Sequence, residues 1–161
     1  MPSITPNLWF DFNAAEAAEF YCSIFPNSRI LSTTDYTEST KHAGEAVTVE
    51  WELDGQRFVG INGGPEFTAN EAVSLMVECA DQDEIDHYWE KLSADGGSEG
   101  PCGWLKDKYG FSWQVVPKGI DAIFRGDDPG ANDRAMQAMM TMSKLDIAAL
   151  RAAAAGEPAT A

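Results

Sequence analysis

The order of predicted elements repeats along the chain, and this repetition constrains the fold more than any other feature. A strand, a helix and further strands occur before residue 66, and the same order begins again near residue 72. At a constant offset of 67, without a gap, five residues fall on similar ones: Leu8 on Leu75, Asp11 on Glu78, Glu16 on Asp83, Tyr21 on Tyr88 and Phe25 on Leu92. A fixed spacing of this kind indicates a duplicated structural unit. The sequence therefore predicts two tandem βαβββ modules.

The first module is marked by clear boundaries. Asn13 is a favourable N-cap between the strand pattern "ITPNLWFDF" and the helical pattern "AAEAAEFYCSIF". Pro26 ends that helix, and "SRILSTTDYT" follows as a strand. The segment "AVTVEWELDGQRFVGING" predicts a hairpin, because Asp54-Gly55 separates two alternating runs.

The second module repeats this pattern with shorter elements. "AVSLMVECA" predicts a strand, and Asp81 caps the helix "QDEIDHYWEKLSA". "DGGSEGP" is interpreted as a turn-rich connection, after which "GWLKD" and "FSWQVVP" form a closing hairpin. In that hairpin Gln114 is either a half-exposed strand residue or part of a functional site.

The segment after residue 119 is rich in alanine and methionine and has helical periodicity. A methionine stripe is typical of flexible apolar packing, here against the sheet or a partner subunit. A second interpretation is that this tail is the docking surface of an interaction protein. The last residues, "AAAAGEPATA", are expected to fray.

Charge excludes some classes of partner. The chain carries 26 acidic and 11 basic side chains, a formal net charge of −15. Such a surface repels phosphate backbones and anionic lipids, so we expect neither nucleic-acid nor membrane partners. No secretory signal or spanning segment is visible, and Cys22, Cys79 and Cys102 lack metal-site spacing. These features favour a cytoplasmic protein with free thiols.

Standard catalytic motifs are missing from the sequence. His42 and His87 are the two histidines, and neither alternates with a carboxylate on a predicted strand, so a two-histidine, one-carboxylate metal site is not expected. There is no G-x-S-x-G elbow, and "NGGP" and "DGGSEG" match neither phosphate-binding loop. We therefore expect no metal, nucleotide or other cofactor.

Tryptophans on or beside the predicted strands suggest a pocket. Trp9, Trp51, Trp104 and Trp113 are interspersed with Asn62, Ser74 and Gln114. Aromatic walls with a few amides and hydroxyls suit a small organic ligand. The alternative is that the tryptophans form the core and the polar residues lie at its edges.

Longer segments carry a family resemblance. "LWFDFNAAEAAEFYCSIFPNSRI", "LDGQRFVGINGGPEF", "QDEIDHYWEKLSADGG", "CGWLKDKYGFSWQVVP" and "MMTMSKLDIAAL" resemble the PhnB-like proteins of the glyoxalase/bleomycin-resistance/dioxygenase (vicinal oxygen chelate) superfamily. That family is often labelled 3-demethylubiquinone-9 3-methyltransferase. The resemblance, over residues 3–153, implies an α+β fold and usually a homodimer. It implies a paired domain over 3–126 (modules about 3–66 and 72–118), a helical extension over 127–155 that packs on the sheet or the dimer partner, and a frayed tail over 156–161.

The resemblance also implies a cleft and its residues. In metal-using members four inward strand positions bind the ion, and here they map to Pro6 or Asn7, Asn62, Val73 or Ser74, and Gln114. None is a histidine or carboxylate, so we expect a metal-free site for a small organic molecule. Its candidate residues are Trp9, Asp11, Asn62, Ser74, Trp104 and Gln114. The alternative is an enzyme, a methyltransferase as labelled or a metal-dependent lyase or dioxygenase, with Asp11, Asp107 or Tyr109 as acid or base.

Overall fold

The computed structural model describes residues 3–157, and the chain divides after Ala69 into two units. The first unit holds one βαβββ module. Its elements are β1 (Asn7–Phe10), α1 (Ala14–Ile24), β2 (Arg29–Asp35), β3 (Ala46–Leu53) and β4 (Gln56–Asn62). The strands form one sheet in the order β1-β4-β3-β2, in which β1 runs parallel to β4 and the other pairs are antiparallel.

The hairpin between β3 and β4 turns where the sequence predicts. Asp54 and Gly55 both have positive φ, at 44° and 88°, and each takes the left-handed conformation that a tight two-residue hairpin needs. The helix-facing side of the sheet is apolar, with Val49, Trp51 and Phe58 buried.

Helix α1 lies very close to this sheet because the contact residues are small. A Cβ added at Gly60 would come within 2.8 Å of the Ala14 Cβ and 2.9 Å of the Trp51 ring. Ala17 and Ala18, on the same helix, are also fully buried. The alanines and the glycine therefore set the helix-to-sheet distance in this module.

The first turn of α1 is capped differently from the sequence prediction. Asn13 occupies the N-cap position but makes no side-chain cap hydrogen bond. Instead the backbone N–H of Ala14 donates to Asn62 Oδ1 at 3.0 Å, and Asn62 Nδ2 donates to the Ala46 carbonyl at 2.9 Å. A residue of β4 thus accepts the hydrogen bond from the first N–H of the helix, and no local sequence pattern predicts this contact.

The second unit holds a second βαβββ module. Its elements are β5 (Ser74–Cys79), α2 (Gln82–Ser93), β6 (Ser98–Glu99), β7 (Trp104–Lys106) and β8 (Ser112–Pro117). The strand order, β5-β8-β7-β6, matches that of the first sheet element for element. The predicted α+β fold of two tandem modules is confirmed.

Local details of the second module bear out one prediction and correct another. Asp81 caps α2 as predicted, because its side chain accepts the Glu84 N–H at 3.0 Å. The prediction that "DGGSEGP" is only a connection was wrong, since Ser98–Glu99 pairs with β7. A two-residue strand beside three glycines has too little alternation to be detected from sequence.

Three helices follow β8: α3 (Ile120–Phe124), α4 (Pro129–Met139) and α5 (Ile147–Ala155). Leu145 and Leu150 are fully buried and cluster with Val116 of β8. Met139 and Met142 pack against that cluster and are partly buried. Helix α5 ends at Gly156, whose φ of 77° provides a left-handed C-cap. Of the tail expected to fray, residues 158–161 lie outside the described residues.

Candidate ligand pocket

Strand register places a set of polar and aromatic residues on one face of the second sheet. Ser112 of β8 lies opposite Ser74 of β5 and Lys106 of β7. Two residues further along β8, Gln114 lies opposite Trp104 of β7. Since side chains alternate along a strand, these five residues share one face.

The other face of this sheet is the core side, against α2. Trp113 and Val115 are buried there, and Leu105 lies opposite Trp113 in register. Glu99, which pairs with Leu105, accepts the indole N–H of Trp89 on α2 at 3.0 Å. The polar face described above is therefore the one turned away from α2.

Gln114 is held on that face by a defined hydrogen bond. Its Nε2 donates to Ser74 Oγ at 2.8 Å, and both side chains are partly buried. The bond links the edge strand β5 to its neighbour β8. Gln114 is thus neither a core residue nor a fully exposed one.

A cavity of about 550 Å³ lies beside these strands, within the second unit. Ligand sites for small molecules have volumes of roughly 300–1,000 Å³. Its lining includes Ser98, Trp104, Lys106 and Ser112 from the polar face, together with Glu71 and Cys102. The cavity therefore combines an aromatic wall, apolar surface and a few polar groups.

The hydroxyl of Ser112 is the most unusual group in this pocket. Ser112 is only 2% exposed, and its Oγ has no hydrogen-bond partner within residues 3–157. Leaving a buried hydroxyl unpartnered costs about 1–3 kcal/mol. A ligand oxygen or nitrogen in the pocket would supply the missing partner.

The pocket lining contains an ion pair between Lys106 and Glu71. Lys106 Nζ lies 2.6 Å from Glu71 Oε1, with side-chain exposures of 37% and 64%. The hydrogen bond from Lys106 holds the pKa of the Glu71 carboxyl below its ordinary value. The Glu71 carboxyl is therefore ionised at neutral pH, and its ion pair with Lys106 carries no net charge.

The chain after β8 supports one wall of the pocket. The N–H of Cys102 donates to the Met142 carbonyl and that of Gly103 to the Ser143 carbonyl, both at 2.8 Å. Gly103 has a φ of 82°, and an added Cβ would lie 2.8 Å from the Val115 carbonyl oxygen. The loop before β7 is thus fixed between β8 and the C-terminal extension.

Of the candidate site residues predicted from sequence, the structure brings Ser74, Trp104 and Gln114 together on one face. Trp9 and Asp11 belong to the first unit. Trp9 is partly buried and donates its indole N–H to the Gly64 carbonyl at 2.8 Å, whereas Asp11 is exposed. Their roles as ligand residues stay predictions.

In the first sheet, the residue that corresponds to Gln114 is Ile61 and not Asn62. Ile61 lies opposite Trp9 of β1 just as Gln114 lies opposite Met76 of β5, so Ile61 is the counterpart of Gln114. Asn62 is one residue further on, on the helix-facing side, where it is 4% exposed. Its amide is engaged in capping α1, and a ligand role for it stays a prediction.

The donor atoms at the positions implied for a metal do not fit a divalent transition ion. Ser74 and Gln114 offer a neutral hydroxyl and amide that bond to each other, and Ile61 offers no donor. Such ions prefer imidazole, thiolate and carboxylate ligands. Residues 3–157 contain no group of three or more histidine, cysteine, aspartate or glutamate side chains that could hold a metal.

Two of the four strand tryptophans are core residues. Trp51 and Trp113 are buried, whereas Trp9 and Trp104 are partly exposed.

Asp107, considered from sequence as an acid or base, is also buried. Its carboxylate accepts the N–H groups of Tyr109 and Phe111 and the indole N–H of Trp113, at 2.7 to 3.0 Å. It organises the turn between β7 and β8.

Sequence reasoning missed Glu71, Lys106 and Ser112. Lys106 and Ser112 could have been predicted from the sequence, because they alternate with Trp104 and Gln114 along predicted strands and so share their face. Glu71 lies before β5, and nothing in the local sequence connects it with Lys106. The three cysteines are free thiols in the structure.

Comparison with known proteins fits this architecture. The sequence profile of the 3-demethylubiquinone-9 3-methyltransferase family matches residues 2–116, which span both modules. The chain belongs to this PhnB-like family. The match ends within β8, so helices α3, α4 and α5 lie beyond it.

Solved structures with the same fold extend the comparison. The PhnB protein of Bacillus cereus is 35% identical over 71% of this chain and 99% of its own, with a TM-score of 0.62. Protein PA1353 of Pseudomonas aeruginosa is 16% identical over 73% and 99% of the chains, with a TM-score of 0.62.

A third solved structure shares the fold at low sequence identity. A variant of the fosfomycin resistance protein FosX of Listeria monocytogenes, in complex with Mn(II), is 13% identical over 74% of this chain and 94% of its own, with a TM-score of 0.51. This likeness concerns the fold alone. No curated protein matches the chain.

Within residues 3–157 no helix has the length and apolar character needed to cross a membrane.

Proposed function

We propose that this PhnB-like protein binds a small organic molecule in the pocket of its second module, without a metal ion. The observation that carries the proposal is the buried hydroxyl of Ser112, a residue of the lining of a cavity of about 550 Å³, because this hydroxyl has no partner within residues 3–157. Native proteins seldom leave a buried polar group unsatisfied, and a functional role is one explanation of an exception. The other such group within residues 3–157, the indole N–H of Trp51, lies in the core of the first module, whereas Ser112 belongs to a pocket lining.

The lining suggests how such a molecule would be held. Trp104 offers a flat apolar surface, and Pro101 adds further apolar area. Ser112 offers a hydroxyl that can both donate and accept a hydrogen bond. An aromatic body against Trp104 with a polar atom at Ser112 would use both features.

The family's descriptive name raises methyl transfer as the alternative. That reaction needs a bound methyl donor and usually a base. The carboxylate of Asp107, the buried acid of this module, already accepts three N–H groups, which makes it a poor base. Heat released on mixing with S-adenosylmethionine, or methyl transfer to a quinol, would favour the enzyme over the binding protein.

We also propose that the protein is a cytoplasmic homodimer, as the family resemblance implies. Strand β2 is an edge strand whose seven residues are all exposed, and they include Ile30 and Leu31. An exposed apolar edge is a natural place for a second chain to pair. Light scattering that gives the mass of one chain would contradict this assembly.

Ligand binding is best tested by titration followed with NMR. A panel of small aromatic amides, phenols and carboxylates is added to the ¹⁵N-labelled protein, and we expect shifts at Trp104, Ser112 and Cys102. Trp104→Ala should reduce the affinity about tenfold or more, because base-sized rings stacked on an aromatic side chain gain roughly 1–3 kcal/mol. Phe12→Ala, which removes an exposed aromatic ring of the first unit outside the pocket lining, is the control.

Cys102 gives an independent measurement. Its thiol lines the pocket and is partly exposed, whereas Cys79 is fully buried. A bound ligand should slow modification of Cys102 by a disulfide reagent. If no compound of the panel shifts these resonances or slows this reaction, the proposal is wrong.

A further inference from the structure

We propose that the pocket selects uncharged aromatic ligands that carry a hydrogen-bonding oxygen, and that the Glu71–Lys106 ion pair enforces this selection. The inference rests on the proposed function, since it names the ligand class of the same pocket. It assigns Glu71 and Lys106 a role in specificity.

The charges around the pocket argue against an anionic ligand. Lys106 is the cationic side chain of the lining, and its Nζ lies 2.6 Å from Glu71 Oε1. A ligand carboxylate at Lys106 would either displace Glu71, which only exchanges one carboxylate for another, or lie beside the Glu71 carboxylate and be repelled by it. It would still lose its own hydration, which makes the exchange unfavourable overall.

A cationic ligand meets the opposite obstacle. The carboxylate of Glu71 is engaged by Lys106, whose ammonium would repel a second cation at the same place. Glu99 also lines the pocket, but its carboxylate accepts the indole N–H of Trp89 on the α2 side of the sheet. An uncharged ligand avoids both costs.

The same residues point to an oxygen atom on the ligand. Lys106 and Ser112 are direct register partners on adjacent antiparallel strands, so their side chains start about 5 Å apart. An ammonium has three N–H donors, and the bond to Glu71 uses one of them. A carbonyl or hydroxyl oxygen between the two residues could accept from both.

Three isosteric probes separate the effects of charge and shape. Benzamide is neutral, benzoate is an anion and benzamidine is a cation, and all three carry the same ring. We expect the wild-type protein to bind benzamide about tenfold more tightly than either ion, measured as Kd by NMR titration near pH 7. Trp104 and Ser112 resonances should report the binding.

Two variants then change the selection in opposite directions. Glu71→Gln releases Lys106, so the affinity for benzoate should rise about tenfold relative to benzamide. Lys106→Met releases Glu71, so the affinity for benzamidine should rise instead. Both residues are substantially exposed, so neither change should prevent folding. Glu52→Gln, which breaks the Arg29–Glu52 pair of the first module, is the control and should leave all three affinities unchanged.

The outcomes distinguish this inference from the proposed function. If no probe binds the wild-type protein and the wider panel also fails, the proposed pocket itself is wrong. If probes bind but benzoate or benzamidine is preferred, charge selection is wrong while ligand binding stands. The inference is equally overturned if Glu71→Gln leaves the ratio of benzoate to benzamide affinity unchanged.

Discussion

Gln114 Nε2 donates to Ser74 Oγ at 2.8 Å, between the adjacent strands β8 and β5 of the second sheet. Ser112 lies two residues before Gln114 on β8, on the same face and directly opposite Ser74. Its hydroxyl is buried and has no partner in residues 3–157. Two neighbouring serines on one face are therefore in opposite situations. The hydroxyl of Ser74 is satisfied within the protein, and that of Ser112 lacks a partner among the described residues.

This contrast predicts opposite effects of the same substitution. Ser112→Ala should raise the free energy of unfolding by up to about 1 kcal/mol, because it removes an unsatisfied buried hydroxyl. Ser74→Ala should lower it by about 1 kcal/mol, because Gln114 loses its acceptor. Urea denaturation measures both values, and a loss of stability in Ser112→Ala would mean that the hydroxyl has a partner in solution.

Capping of α1 across the module gives a second prediction. Asn62→Ala leaves the Ala14 N–H and the Ala46 carbonyl without their partner and should cost about 1–3 kcal/mol. Asn13→Ala, at the formal N-cap, should cost less than about 0.5 kcal/mol, since Asn13 makes no cap bond. Thermal and urea unfolding provide the comparison. Equal losses in the two variants would show that local capping matters more than this tertiary bond.

The wall of the pocket can be tested with a matched pair of glycines. Gly103 and Gly110 both have positive φ, at 82° and 86°, so alanine is strained to a similar degree at each. At Gly103 the added Cβ would also lie 2.8 Å from the Val115 carbonyl oxygen and 3.1 Å from Leu145, whereas at Gly110 it meets nothing within 4 Å. Gly103→Ala should therefore be less stable than Gly110→Ala by about 1–3 kcal/mol. Similar values for both would indicate that the loop moves to relieve the contact.

The sequence was informative where patterns are local or repeated. The offset that brings Leu8 onto Leu75 predicted two modules, and the Asp54-Gly55 turn predicted the hairpin between β3 and β4. Family motifs led to Gln114 and Ser74, which the structure joins by a hydrogen bond. The repeat and the turn depend on spacing, which a sequence displays directly, whereas Gln114 and Ser74 were reached through the family resemblance.

Features that depend on one residue of register or on distant contacts escaped sequence reasoning. Near the end of β4 the sequence favoured the polar Asn62, but the inward counterpart of Gln114 is Ile61, because a shift of one residue reverses the face of a strand. The pairing of Glu71 with Lys106 joins segments 35 residues apart and leaves no trace in either. The free hydroxyl of Ser112 is a property of packing and could only be seen in three dimensions.

The buried thiol of Cys79 predicts how stability depends on alkaline pH. Burial raises the pKa of this thiol from 9.0 to about 12, with smaller contributions from the carboxylates of Glu84 and Asp81. The folded state therefore keeps the proton when the unfolded chain has lost it. The stabilisation is fully present below pH 9 and is lost as the pH rises from 9 towards 12, with a slope of at most about 1.4 kcal/mol per pH unit.

Cys79→Ala removes this contribution and leaves the lysines and tyrosines unchanged. The difference in unfolding free energy between wild type and variant should stay constant from pH 7 to 8.5 and shrink above pH 9. Urea denaturation at each pH gives the two curves. The same substitution at Cys102, whose thiol is partly exposed, is the control for the loss of a cysteine side chain. A constant difference between wild type and Cys79→Ala up to pH 11 would mean that the thiol ionises equally in both states.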